Sequence, residues 1–312
     1  MSKISNIFRR RPKDEASILT KRTKGEKVLY AIVFGIFIVY SLALIYPLVY
    51  LFLNSFQTKL IYTDLRVNGS VNPLALPETW HFENYTKALL LSVKDSLNED
   101  VFLPEMFWNS LWYCGIHVFG QVMMSCFTGY VMAKYRFKAK DFIYTIVIFS
   151  MTIPVVGSTA SLFKLVNQME IYNSPLYVII TSLGGWGFNF MVMYGFFKNV
   201  SWSYAEAVFL DGGGHYSAFF KVMLPQASMS ILTLCIVSFI TSWNDYMTPL
   251  MYMPDYPTVA SGLYRIQISA KRTGDMPYFF AGLIISIVPV IVLYGCFSDV
   301  IMKNFSVGGL KG

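Results

Sequence analysis

Apolar residues in this chain gather into long unbroken runs; they neither alternate nor recur along a single helical face. Residues 28–53 form the clearest run, uncharged and rich in Ile, Val, Leu and Phe. A bilayer core of about 30 Å is crossed by about 20 helical residues, so this run predicts a tilted membrane-spanning helix. Pro47 falls near its far end, where a kink or loosened last turn is tolerated. Similar runs predict spans at about 107–133, 142–163, 176–197, 228–250 and 278–302. The second is mildly polar, with His117, Gln121, Ser125 and Thr128, and carries Gly115, Gly120 and Gly129 for close helix contacts. Pro154 and Gly157 interrupt the third, Gly184, Gly185 and Gly187 cluster in the fourth, and Pro289 lies in the sixth. The pattern predicts an all-α membrane protein with six transmembrane helices.

The polar stretches orient these spans. Residues 1–27 hold nine basic residues against three acidic ones, and a second basic cluster, Lys134, Arg136, Lys138 and Lys140, follows the second run. Basic residues concentrate on the cytoplasmic side. Both clusters, with Lys303 and Lys311, share one side if the spans alternate, so both termini are expected in the cytoplasm. The three basic residues Arg265, Lys271 and Arg272 in the opposite loop are too few to reverse this. The organisation expected is a basic cytoplasmic arm over 1–27, a transmembrane domain over 28–303 and a cytoplasmic tail over 304–312. Residues 54–104, with Gly69, Pro73, Pro77 and several acids, form an extracytoplasmic segment with short helical pieces such as 82–91. Trp80, Tyr85, Trp108 and Trp112 at its edges suit the headgroup level.

Composition sharpens the picture. Only 14% of residues are charged while 55% are hydrophobic, against about 25% charged in soluble domains. The net charge of +7 comes from residues flanking apolar runs, which argues for a membrane protein and against nucleic-acid binding. Cys114, Cys126, Cys235 and Cys296 all lie inside apolar runs and read as small buried side chains. With three histidines and no CxxC, no metal site is expected. The 27 residues before the first run, largely polar and charged, do not resemble a secretory signal.

One cytoplasmic stretch stands apart. Residues 201–225 read SWSYAEAVFLDGGGHYSAFFKVMLP. Residues 204–210 predict a short helix, Asp211 and Gly212–Gly214 a turn that exploits glycine's access to positive φ, and 215–222 a second short helix. Such helices are too short to stand alone and require a partner surface, either the bilayer or a protein. An ordinary interfacial helix–turn–helix satisfies the same pattern.

The stretch resembles the coupling loop, or EAA loop, of binding-protein-dependent ABC importers: Glu-Ala-Ala, two variable residues, Asp-Gly-Ala, then a Phe and a Leu-Pro. Glu206, Ala207, Asp211, Gly212, Phe219, Leu224 and Pro225 match in order and spacing, while Val208 and Gly213 each replace an alanine. The run SFITSWNDYMTPL at 238–250, with Trp243, Asn244 and Pro249, and the glycine-lysine-glycine ending at 308–312 are similar to the second permease subunit of maltose-type sugar importers.

The resemblance implies a permease with six spans and a coupling helix between spans four and five. It implies that the chain forms half of a pathway for sugar, in particular oligosaccharide, beside a second, homologous permease. Two separate ATPase subunits hold ATP and magnesium, an extracytoplasmic substrate-binding protein delivers the sugar, and the site is a bacterial cell membrane. This chain itself would be no enzyme: it lacks a phosphate-binding loop and carries no cofactor. Glu206, Ala207, Asp211, Gly212, Gly213, Phe219, Leu224 and Pro225 would couple to the ATPase. Glu206 would pair with an arginine or with backbone donors there, Asp211 would cap the following helix or brace the loop, and Phe219, Phe220 and Leu224 would anchor in the ATPase or pack on the chain's own spans. His117, Gln121, Asn189, Trp243, Asn244 and Asp245 are candidates for the sugar pathway or for helix–helix hydrogen bonds, and Tyr264, Arg265 and Gln267 for binding-protein contact. Permeases for amino acids, peptides, phosphate or metals share the coupling loop. An ion-coupled carrier or a membrane scaffold is a more distant alternative.

Overall fold

The computed structural model describes residues 24–68, 74–153 and 157–307. Residues 1–23 of the basic arm, Gly69, Pro73, Pro154 and the 308–312 ending lie outside the described residues. The chain divides after Leu51 into two compact units. The first is most of α1 (Lys24–Ser55), which starts four residues inside the stretch assigned to the arm and contains Pro47. Its apolar side chains from Val28 to Val49 are exposed, as a helix made for a non-aqueous surrounding leaves them.

The second unit runs through α2 (Lys59–Asn68), α3 (Glu83–Leu89), a hairpin of β1 (Ser92–Lys94) and β2 (Asp100–Phe102), and α4 (Leu103–Lys134). It continues with α5 (Lys140–Thr152), α6 (Ser158–Gln168), α7 (Pro175–Ser182), α8 (Phe188–Asn199) and α9 (Ser203–Leu210). Then come α10 (His215–Gln226), α11 (Ser228–Trp243), α12 (Met247–Tyr252), α13 (Val259–Thr273) and α14 (Met276–Val307). Helix α4 is the centre of this unit and packs against α8, α11 and α7. Gly129 permits the closest approach of another helix's backbone: a Cβ there would stand 2.9 Å from the Tyr194 nitrogen on α8. Gly120 faces the Ser182 side chain, and Gly115 has no neighbour within 4 Å in this chain.

Among the described residues three helices, α1, α4 and the first part of α14, are long and apolar enough to cross a bilayer. A fourth crossing results if α10 and α11, bent by 73° at Ala227, count as one. The runs expected as the third and fourth spans each form two shorter helices, α5 with α6 and α7 with α8. In the fourth, residues 183–187 unwind, with Gly185 and Gly187 at φ of 58° and 112°. The hairpin was not legible as such in the 54–104 stretch. Its strands pair antiparallel, Val93 opposite Val101. Cys114 and Cys126 are buried as expected, but Cys296 is exposed.

The hairpin is bound to two distant segments through Asp255. Its carboxylate accepts from the Ser96 N–H at 2.7 Å and from the Asn173 side-chain amide, and its own N–H donates to Asn173 Oδ1 at 3.1 Å. Arg265 donates to the Lys94 carbonyl. Partial burial raises the Asp255 pKa, but hydrogen bonds from Ser96 and Asn173 and the charge of Arg265 outweigh it and hold the carboxyl below the usual carboxylate range. Thr258 and Ser261 form a reciprocal cap on α13.

Candidate functional site

The sequence pattern over 201–225 builds two helices with an inner and an outer face. Helix α9 ends at Asp211, and Gly212 turns the chain at φ 80°, a conformation side-chain-bearing residues rarely adopt. The Gly213 N–H then donates to the Val208 carbonyl at 2.8 Å. Helix α10 starts at His215 and widens into a π-helical stretch over Ala218–Met223. Its cap residue is Gly214, with no side-chain cap bond, so Asp211 does not cap it.

Ala205, Ala218, Phe219 and Met223 form the inner face and are buried. The Phe219 ring stacks on Phe127 at 4.6 Å and lies near Tyr130 and Phe197. Of the two readings open for Phe219, the structure shows packing on the chain's own helices. Leu224 also packs against this cluster, while Phe220 remains 44% exposed beside Phe127. Two contacts reach the segment from the end of α4: Lys134 donates to the Val200 carbonyl, and Tyr135 Oη shares a 2.8 Å hydrogen bond with His215 Nδ1. The outer face carries Glu206, Ala207 and Asp211, all exposed, with Leu210 and Tyr216 more than four-fifths exposed. Pro225 is exposed as well.

The six candidate pathway residues divide between two places. Four belong to a polar seam between α4, α8 and α11. Tyr113, His117 and Gln121 recur one turn apart on α4, and Ser238 and Ser242 do so on α11. His117 Nδ1 lies 2.9 Å from Ser242 Oγ, and Tyr113 Oη donates to Asp245 Oδ2 at 3.2 Å. The Asn189 amide donates to Gln121 Oε1 at 3.2 Å and to Ser238 Oγ at 3.0 Å. Asp245 also accepts from the Thr248 N–H at the start of α12. The bonds of His117 and Asn189 join helix to helix, and those of Asp245 tie the turn after α11 to α4 and α12, each satisfying a polar group that would otherwise be costly to bury. The sequence reading missed Tyr113, Ser238 and Ser242, although their four-residue spacing inside apolar runs was the available signal.

Trp243 and Asn244 line a cavity of about 370 Å³ between α11, α13 and α14. Tyr264 and Gln267, picked from sequence for another role, line the same cavity, as do Tyr246 and Ser286. Trp243 is buried, and its indole N–H donates to the Ser286 carbonyl at 3.1 Å. Tyr246 and Tyr264 stack with centroids 4.8 Å apart. Arg265 is not part of this wall, being turned to Lys94.

Three long apolar helices and a helix pair with an exposed outer face fit an integral membrane protein. Residues 125–305 match the family model described as the binding-protein-dependent transport system inner membrane component, and the chain belongs to that family. It is accordingly a transport permease and not an enzyme. Curated relatives agree in extent. The diacetylchitobiose uptake system permease protein NgcG of Streptomyces coelicolor is 25% identical over 90% of this chain and 89% of its own. The arabinooligosaccharides transport system permease protein AraQ of Halalkalibacterium halodurans is 26% identical over 86% and 91%. The maltodextrin transport system permease protein MalD of Streptococcus pneumoniae is 24% identical over 95% and 99%. A chain from the crystal structure of a bacterial ABC transporter that imports the acidic polysaccharide alginate superposes with a TM-score of 0.71. That superposition covers 90% of this chain and 99% of the other at 18% identity, and so shows a shared fold.

Proposed function

We propose that this chain is the membrane-spanning subunit of an ATP-driven importer of oligosaccharides in a bacterial plasma membrane. It forms half of the pathway beside a second, homologous permease, with six spans and both termini in the cytoplasm. Two of those spans are the broken pairs α5 with α6 and α7 with α8. The observation that carries this reading is the helix pair α9–α10. Its inner face is rooted in the α4 core, while Glu206, Leu210, Asp211 and Tyr216 are free to meet another protein. A mixed apolar and acidic patch of this kind suits a cleft that supplies cations around an apolar floor. Ala207, Gly212, Gly213, Phe219, Leu224 and Pro225 shape and anchor that patch.

ATP and magnesium would reside in two separate ATPase subunits docked on it. Their closure would move α9 and α10 and, through Tyr135 and Lys134, the end of α4. A substrate-binding protein would deliver the sugar from outside, toward the end of the unit that holds Tyr264, Arg265 and Gln267. The polar seam around His117, Gln121, Asn189 and Asp245 would change its bonds as the pathway opens, and Trp243 and Asn244 would border the route. Sugar as cargo rests on the relatives, whose names are those of sugar uptake systems.

The test is purification of the intact complex with its binding protein, followed by a screen of glycans for stimulation of ATP hydrolysis. Stimulation by oligosaccharides is expected. Stimulation by an amino acid or peptide alone would overturn the substrate class.

A further inference from the structure

The cavity between α11, α13 and α14 has a composition that says more than its position. Its volume of about 370 Å³ falls at the low end of ligand sites, which run from roughly 300 to 1,000 Å³. Four aromatic side chains, Trp243, Tyr246, Tyr264 and Phe279, contribute to the wall, and the amides of Asn244 and Gln267 supply polar side chains beside Ser286. No lysine, arginine, aspartate or glutamate is among the described lining residues.

Each feature constrains an occupant. The Tyr246–Tyr264 stack offers a rigid apolar surface at low entropic cost, and both rings are 40% exposed and so accessible. Trp243 is immobilised by its bond to the Ser286 carbonyl and by stacking with Phe239 at 5.6 Å. A carboxamide donates and accepts at once, which matches a hydroxyl, itself a donor and an acceptor. An ionised group entering this wall would lose water without gaining a counter-charge. A ring with apolar C–H faces and a rim of hydroxyls satisfies all of these constraints; a carboxylated sugar, a zwitterionic amino acid or a phosphate does not.

We propose that this cavity is a subsite on this subunit for one uncharged sugar unit of the transported glycan, with Tyr246 and Tyr264 as the platform and Asn244 and Gln267 reading hydroxyls. The inference rests on the oligosaccharide-importer reading and deepens it. It also separates this chain from its structural neighbour, whose cargo, alginate, is acidic.

The experiment uses the complete complex in proteoliposomes. Uptake and ATP hydrolysis are measured with diacetylchitobiose, arabino-oligosaccharides, maltodextrin and alginate oligosaccharides, and glycan affinity of the isolated binding protein is measured separately. Neutral glycans are expected to be transported and alginate oligosaccharides rejected. Tyr264→Ala and Gln267→Ala should each lower uptake of the accepted glycan by about tenfold, the scale of losing an anchoring contact, while Tyr264→Phe stays within about twofold. Transport of a neutral glycan at wild-type rate by Tyr264→Ala and Gln267→Ala would overturn the subsite and leave the importer reading standing. Equal transport of alginate oligosaccharides by the unaltered complex would overturn the uncharged class. A response to no glycan of any kind would remove the importer reading on which both depend.

Discussion

A Cβ built on Gly213 would stand 2.5 Å from Val208 Cγ1 and 2.9 Å from the Val208 carbonyl oxygen. The coupling-loop pattern has alanine at both positions, so the larger side chain at 208 is matched here by a lost side chain at 213. Gly213→Ala alone should overpack the turn and cost about 1–3 kcal/mol. Adding Val208→Ala should recover some of that loss. Thermal denaturation of the two single variants and the double variant measures the coupling, and strictly additive effects would show that the positions are independent. Gly212 is different, because its constraint is conformational. Proline holds φ near about −65° and has no N–H, whereas Gly212 sits at 80° and donates to the Phe209 carbonyl. Gly212→Pro should still insert into the membrane but lose ATP hydrolysis coupled to loaded binding protein. Coupled hydrolysis at the normal rate would remove the docking role of the α9–α10 pair. Phe219 and Phe220 are adjacent and chemically identical, so sequence left both roles open for each. Only packing against Phe127, Tyr130 and Phe197 assigns Phe219 to the interior.

At the scale of elements, apolar run length located α1, α4 and α14 because a long uncharged helix has few other ways to be stable. It gave no sign that two short helices meet inside each of the third and fourth runs, since apolar composition does not report direction. The glycines at 184, 185 and 187 were the local warning in the fourth run, and Gly185 and Gly187 do adopt positive φ. The hairpin at 92–102 was hidden for another reason: its strands have three residues each, too few to establish an alternating pattern. The seam residues His117, Gln121 and Asn189 were legible as polar groups in spans, but their partners come from helices more than 45 residues away in sequence. The contact between the end of α4 and the start of α10 is open to test. Tyr135→Phe keeps the ring but removes the bond to His215, at a cost of about 0.5–1.5 kcal/mol for a neutral hydrogen bond. A small loss of thermal stability is expected, together with more ATP consumed per sugar moved in proteoliposomes. An unchanged ratio would show that the bond carries no coupling.

On the scale of the molecule, Asp255 joins three segments, since Ser96 and Asn173 are 159 and 82 residues away. Folding lowers its pKa, so its contribution to stability is fully present above the unfolded value of about 3.9 and is lost as pH falls through the lower folded value. Melting temperatures of the wild type and Asp255→Asn should therefore differ by a constant amount near neutral pH and converge below about pH 4. A gap independent of pH down to strong acid would assign the effect to shape instead of charge. One of the two 32-residue helices of the second unit, α4, has a mechanical meaning of its own. Helix α4 has 32 residues, which at 1.5 Å each makes it about 48 Å long. Gly129, where the α8 backbone comes nearest to α4, lies five residues from one end and 26 from the other, or about 8 Å and 39 Å. A stiff bar pivoting at that point would act as a lever with a gain of about five. A shift of about 1 Å at the α9–α10 end would then reappear as roughly 5 Å beside the hairpin, close to the pitch of one helical turn.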